Sequence, residues 1–515
     1  MYTLLWTVLS ASLFLPGLLQ AQHAEQLSAD TQADTTLSFG WELRGGAGTA
    51  GSLPFWLHSN QQGQIDPRSA NSTLSLFTSG EHSFGSGISV AAKADVLVRG
   101  AERSALYVQE GFVKLSYADV MLWAGRKQER FGLVQHRLST GSMDISQNAR
   151  PVPQIVFATR GFIPVPFSRG VLHADASLGH GWMTDSSYRF VEDTVRLHRK
   201  HLYLRFFSEE APLAIYAGLK HFAQWGGSSP IHGESPVNFS SFMDVFFSRA
   251  SDSNEILGGG ELLNSAQNHI GSYDVALSSS TSRYRFSLSR QFILEDTPNA
   301  RFGTPFDGLW GASITRRAPG ATTQWRDDRN SRQRSSEPAS RLHSRPSPAA
   351  FRPLLKTIHY EYLDLKEGMS RYPNRPRDEY FNYYNHYAYR GGWTYHNQSI
   401  GNPLLFTNPD YFGVVNNELI AHHAAFRGYA GPMEWRLLAT YSRNYGANRV
   451  SRTDDGISRE NLLTDRRDQW SFLLDLRSNR LFEAFETGIQ IGFDTGEVHR
   501  QNLGAMLSLR WTSGL

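Results

Sequence analysis

Asn502-Leu503-Gly504-Ala505-Met506-Leu507-Ser508-Leu509-Arg510-Trp511, close to the C-terminus, is the stretch whose reading decides the fold. From Leu503 the odd positions are Leu, Ala, Leu, Leu and Trp, while the even positions are Asn, Gly, Met, Ser and Arg. Strict alternation over such a length is a strand with one apolar face and one mostly polar face. Two arrangements use that pattern: an antiparallel sheet over a soluble core, or a membrane barrel with lipid outside and a polar interior. A barrel strand needs roughly nine to eleven residues to cross a bilayer, and an aromatic residue at the end suits the interface. The preceding segment repeats the pattern: Phe485, Thr487, Ile489, Ile491 and Phe493 alternate with Glu486, Gly488, Gln490, Gly492 and Asp494. The turn Asp494-Thr495-Gly496-Glu497 joins the two as a hairpin.

Composition agrees with many such hairpins. The 515 residues are 40% hydrophobic and 12% aromatic, with 45 Gly and no Cys. A mean hydropathy of -0.40 is too low for a bundle of membrane helices. It suits a barrel, in which only every second strand residue meets lipid. The net charge of +3 is small for this length and gives no reason to expect a nucleic-acid partner. Without Cys there is no disulfide, thiolate nucleophile, Cys-ligated metal or lipid-modified N-terminal Cys. The apolar run from Leu4 to Leu19, followed by Gln20-Ala21-Gln22, reads as a signal peptide over residues 1–21. Met1-Tyr2-Thr3 carries no Lys or Arg, so an N-terminal anchor helix is the alternative. Residues 22–37 are a short periplasmic lead, and 38–515 form the barrel.

Alternating runs predict strands at 38–47, 71–82, 87–99, 105–116, 119–128, 155–167, 171–182, 199–208, 213–224, 268–279, 282–294, 308–317, 354–365, 417–428, 433–442, 468–477, 482–493 and 501–511. That is an all-β chain forming a transmembrane antiparallel β-barrel of about 18 strands, an even number as single-chain bacterial barrels have. Short turns alternate with long connections, the asymmetry of periplasmic turns and outer loops. Among the outer loops, 225–267, 366–416 and 443–467 are the longest, and the first two have enough mass to fill a lumen. One segment breaks the asymmetry: 316–353 is rich in Arg, Ser and Pro and falls on the periplasmic side by parity. It reads as a disordered basic insertion, either a solvated linker or a contact for an acidic partner.

No enzyme signature is present: no G-x-S-x-G elbow, no H-E-x-x-H and no phosphate-cradling glycine loop. Adjacent His422 and His423 point to opposite faces of a strand and cannot share a metal. Leu257-Gly258-Gly259-Gly260-Glu261 is a hinge within an outer loop rather than a nucleotide site. The richest stretch is Tyr372 to Tyr395, where Tyr383, Tyr384, Tyr387, Trp393 and Tyr395 stand among Asn382, Asn385, His386 and Arg390. Aromatic faces stack on the C–H faces of sugars, while amides and a guanidinium pair with hydroxyls. The same residues could instead pack the loop against itself and the barrel mouth. Trp225, before Gly226-Gly227, is a second candidate of the same kind.

Several segments resemble the Wzi family of capsule-assembly proteins: Ala124-Gly125-Arg126-Lys127, the run from Ser142 to Pro153, His221-Phe222-Ala223-Gln224-Trp225-Gly226-Gly227, Gly391-Gly392-Trp393-Thr394-Tyr395 and Ile400-Gly401-Asn402-Pro403-Leu404. The resemblance extends over most of residues 40–515. It implies an eighteen-stranded bacterial outer-membrane barrel, plugged by its own loops, that binds capsular or other surface polysaccharide and helps attach it to the cell. It implies no cofactor and no catalysis, with outer-membrane lipid as the remaining partner and a monomer as the expected state. The short lead at 22–37 and the insertion at 316–353 depart from the family. A porin-type channel for small solutes is the alternative, and a barrel enzyme a third reading that would need a nucleophile or carboxylate set at one rim.

Overall fold

A computed structural model describes residues 35–514 except 69, 85–86, 186–192, 194, 230–232, 250–266, 296–301, 322, 324–350, 367–381, 387, 448–449, 453–458, 461–464 and 479–484. The predicted signal peptide, most of the lead, the body of the basic insertion and the Leu257–Glu261 hinge lie outside the described residues.

Eighteen long strands hydrogen-bond in sequence order and close on themselves. They are β1 (Thr35–Gly48), β2 (Asn71–Phe84), β3 (Ile88–Gly100), β4 (Ala105–Tyr117), β5 (Val120–Arg126), β6 (Pro153–Thr159), β7 (Leu172–Met183), β8 (Val195–Phe206), β9 (Ala214–Trp225), β10 (Asn268–Ser280), β11 (Tyr284–Leu294), β12 (Gly308–Arg316), β13 (Thr357–Asp364), β14 (Glu418–Ala430), β15 (Met433–Gly446), β16 (Arg467–Ser478), β17 (Phe485–Gly496) and β18 (Asn502–Gly514). Neighbours are antiparallel throughout, and β1 pairs with β18 in the register Trp41↔Trp511 and Gly45↔Leu507. Closure leaves no unpaired edge, the condition for a sheet in hydrocarbon. The expected strand 155–167 is interrupted: it breaks after Thr159, and only Ile163–Pro164 resume pairing, with β7. Gly161 takes φ +80°, outside the extended range, which ends the run.

The C-terminal strand has the face assignment its alternation predicts. Leu507 is 59% exposed on the outer wall, while Met506 is 2% exposed and faces inward. Leu37, Leu43, Leu76, Leu115, Leu219 and Ile489 extend the outward apolar band around the barrel. Most long connections gather at one end, and the opposite end carries short turns apart from the 160–171 and 317–356 connections. The helix α1 (Phe55–His58) lies in the first long connection, and α2 (Phe239–Phe247) in the one after β9.

Candidate functional site: the plugged lumen

The even-numbered glycines of the C-terminal hairpin explain how the lumen fills. A Cβ on Gly504 would come within 2.5 Å of the Pro54 side chain, and one on Gly492 within 2.9 Å of Leu57. The bare backbone of these strands is therefore a floor on which α1 rests directly. The Phe55 N–H donates to Asp494 Oδ2 (2.8 Å), and Trp56 Nε1 donates to Thr440 Oγ1 (3.0 Å) on β15. Beside α1, burial pushes His58 down to about 3 and His499 down to about 4, so both rings are neutral at physiological pH. Their charges would also repel each other.

A second inward segment, the connection 127–152, descends furthest. Gln135 Nε2 donates to Ser313 Oγ (3.1 Å) near the short-turn end of β12, and Arg137 pairs with Glu434 (2.7 Å) at the start of β15. Higher up, Glu361 accepts from both the N–H and Oγ1 of Thr140 (2.7 Å each), and His423 Nε2 lies 2.7 Å from the Leu138 carbonyl. His422 points to the other face, beside Tyr360, as strand alternation requires.

Asp144 anchors this segment. Its carboxylate accepts from Lys220 Nζ (2.7 Å), Ser142 Oγ (2.7 Å), the Ile145 N–H (2.8 Å) and Ser272 Oγ (3.0 Å). Lys220 also pairs with Asp274 (3.3 Å), which accepts from Tyr203 OH (2.6 Å) and Gln291 Nε2 (3.0 Å). Asp144, Lys220 and Asp274 are all essentially inaccessible to solvent. Strands β8 to β11 thus hold a loop residue through one buried ammonium between two carboxylates. Sequence reading missed this constellation, although Asp144 and His221, the neighbour of Lys220, lie in segments that carry the family resemblance.

The third inward segment is the described part of the connection 365–417, which holds most of the aromatic candidates. Tyr384 OH donates to the Met143 carbonyl and accepts from the Asn402 N–H (2.9 Å); burial pushes its phenol well above the ordinary range. Trp393 Nε1 donates to the Asp144 carbonyl (2.6 Å). Tyr383 OH donates to Asp307 (2.6 Å), and Tyr395 OH lies 3.0 Å from Thr184 Oγ1. These four rings and Arg390 are buried, and Tyr387 lies outside the described residues. Gly401 passes so close to Tyr384 that a Cβ there would fall 2.0 Å from its hydroxyl. The aromatic stretch therefore packs the loop against the rest of the plug, one of the two roles its composition allowed.

Trp225 is elsewhere. Its neighbours Phe222 and Gln224 face the plug, where Gln224 Nε2 donates to the Gly392 carbonyl (3.1 Å), so Trp225 projects from the outer face of the wall, under α2. Trp225 and Trp393 are thus on opposite sides of the sheet. Of the two loops expected to fill the lumen, the described part of 366–416 does so. The described helix of 225–267 packs outside, and its place is taken by 53–66 and 131–149.

Beneath the plug, toward the short-turn end, lies a cavity of about 440 Å³. Arg44, Arg137, Arg436 and Arg477 meet Gln61 and Gln135 there. The guanidiniums are braced by carboxylates: Arg436 Nη2 is 2.9 Å from Asp475 Oδ2, and Arg44 Nε is 2.6 Å from Glu42. Planar donors fixed in this way suit a hydroxyl-rich or anionic ligand. Among the described residues no group of three or more His, Asp or Glu side chains is placed to hold a metal ion.

No protein-family model matches the chain, and no characterised protein sequence matches it. Solved structures do. One is Wzi, described as an outer-membrane protein involved in group 1 capsule assembly in Escherichia coli and a carbohydrate-binding β-barrel; it superposes with a TM-score of 0.54 at 12% identity, covering 91% of this chain and 83% of that one. Another is OccK5 (OpdH) of Pseudomonas aeruginosa, at TM-score 0.46 and 9% identity, covering 94% and 98%. The likeness is one of fold. With its closed eighteen-stranded wall and lipid-facing apolar band, the chain is a bacterial outer-membrane β-barrel.

Proposed function

We propose that this barrel is a non-enzymatic protein that binds surface polysaccharide, capsular where a capsule is present, and helps to assemble or anchor it on the cell. The observation that carries this reading is the plug: three connections from the long-loop end fold inward over a common buried core that includes Trp56, Met143, Tyr384, Trp393 and wall residues such as Leu438 and Leu473. A conduit needs a passage, whereas a lumen packed in this way suits a rigid platform. Wzi, which has a similar fold, is a carbohydrate-binding barrel, and this agrees with the reading. In this reading Tyr383, Tyr384, Trp393 and Tyr395 act as scaffold, and Trp225 serves the outer wall. The polar cavity lined by Gln61, Gln135 and Arg44 lies beneath the plug, away from the outer surface, and is not where a surface polysaccharide would dock in this reading.

The same polar cavity favours the porin reading, because a charged constriction is what a solute channel needs. Planar-bilayer conductance of the refolded protein, with and without the host's surface polysaccharide, separates the two. Closed membranes together with saturable polysaccharide binding are expected. Steady open-channel current unaffected by polysaccharide would establish the channel instead.

A further inference from the structure

Strand alternation places an unusual set of side chains on the outside of the wall. On β8, Leu197 belongs to the luminal core and Arg199 pairs with luminal Glu129, so Arg196, His198 and Lys200 face outward. On β9, Lys220, Phe222 and Gln224 face the plug, so His221, Ala223 and Trp225 face outward beside them. The pairs Trp225↔Arg196, Ala223↔His198 and His221↔Lys200 thus form a ladder near the long-loop end. The next outward pair below is Leu219↔Leu202, exposed on the lipid-facing band, roughly 7 Å further along the strands.

Helix α2 lies on this ladder. Phe242 packs against Trp225 (5.9 Å) and His198 (5.6 Å), and Phe246 packs against His198 (5.4 Å) with Lys200 Nζ 4.3 Å from its ring centre. Lys200 also donates to the Phe246 carbonyl, and Ser248 Oγ lies 2.9 Å from His221 Nε2. The helix therefore runs down the outer wall and ends where the apolar band begins. It covers the imidazoles but leaves apolar surface of its own: Phe239 is 77% exposed and Phe247 52%. Arg249 follows, with its guanidinium 4.9 Å from the Phe247 ring.

We propose that α2 is an interfacial helix that binds phosphate-bearing lipids of the adjoining leaflet. Phe247, at the lower end, enters the upper acyl region, Phe239 lies about 12 Å higher among the headgroups, and Lys200 and Arg249 pair with the headgroup phosphates. Three observations support this occupant: the helix is continuous with the lipid-facing band, Phe239 and Phe247 stay exposed although α2 itself is packed on the wall, and cations stand beside its lower rings, Arg249 at Phe247 and Lys200 at Phe246. Aromatic residues beside Lys and Arg are the combination by which amphipathic helices settle at an interface.

The absence of Cys permits a clean test, since a single introduced thiol is the only one in the chain. Phe247→Cys and Ser240→Cys are labelled with a polarity-sensitive fluorophore and refolded into phosphatidylcholine vesicles with or without phosphatidylglycerol. Brominated lipid serves as a membrane-phase quencher, iodide as an aqueous one, and Leu507→Cys and Glu234→Cys as lipid and water references. We expect the label at position 247 to be quenched by brominated lipid as at 507, and more strongly with phosphatidylglycerol. Lys200→Gln and Arg249→Gln should each weaken that anionic preference about fivefold. If Phe247→Cys fails to assemble, the label at 240 reports the same contrast. Quenching by iodide alone in both vesicle types would overturn the proposal. Label self-quenching with interchain cross-linking would overturn it too, by identifying a second copy of the chain as the occupant.

Discussion

Lys220→Met is the substitution that most directly tests how the plug is held. The ammonium sits between Asp144 at 2.7 Å and Asp274 at 3.3 Å, and all three groups are sealed from solvent. Removing one partner of such a buried cluster leaves uncompensated charge and costs about 3–5 kcal/mol. Here two carboxylates would face each other across the joint between the loop and β10. The wall itself has its own ladders on both sides of β9, so the damage should fall on the loop. Lys220→Met should therefore still show heat-modifiable gel migration, the sign of an assembled barrel. Its 127–152 connection, which carries the cleavable sites Lys127, Arg130 and Arg137, should become sensitive to trypsin. A loss of about 3 kcal/mol raises the released population on the order of a hundredfold. The double variant Lys220→Met/Asp144→Asn should recover part of the protection, because one of the stranded charges is gone. Wild-type trypsin resistance in Lys220→Met would refute the reasoning, since the buried pair would then contribute nothing to seating the loop.

Leu507→Arg should impair assembly by about 2–4 kcal/mol, because an arginine there faces the bilayer, as read by heat-modifiable migration. Met506→Arg should assemble but loosen the plug, since Met506 belongs to the dry luminal core rather than a watery interior; protease sensitivity of the long connections reads this. Acidification should unseat α1. His58 and His499 stay neutral in the folded protein down to about 3 and about 4, while the free rings take protons near 6.5. Seating is therefore undiminished above pH 6.5 and weakens as pH falls from there toward 4, by at most about 1.4 kcal/mol per pH unit for each ring. Protease sensitivity near residues 49–70 should rise at pH 5 relative to pH 7.5, and an unchanged pattern would count against the burial of neutral His58 and His499 as what holds α1. Deleting 319–349 should leave the barrel intact, because the Arg316 N–H already donates to the Lys356 carbonyl (2.8 Å) across the base of the insertion; failure of the deleted protein to migrate as a folded barrel would contradict this.

The wall was legible in the sequence because its determinant is local. The period of two in 502–511 states which residues meet lipid, and Leu507 and Met506 lie on the faces it assigns. The same rule separated His422 from His423. Legibility failed where the backbone stops alternating. At 155–167 the apolar pattern continues through Gly161, whose positive φ breaks the strand, and composition does not reveal a dihedral angle.

The site was less legible than the fold. Tyr384, Trp393 and Tyr395 stood out by composition, but a Tyr that packs a core and a Tyr that stacks on a sugar have the same letter. Their burial comes from contacts across long separations, such as Tyr384 to Met143 and Trp393 to Asp144. Trp225 stood out for the same reason and lies on the far side of the sheet. Lys220, Asp144 and Asp274 are far apart in sequence and form one group only when the barrel closes. By itself the sequence determined an eighteen-stranded wall and its two faces, because alternation and turn spacing act between neighbours along the chain. Only the tertiary structure decided which loops turn inward, which rings are buried and where the charges meet, because those depend on packing across the lumen.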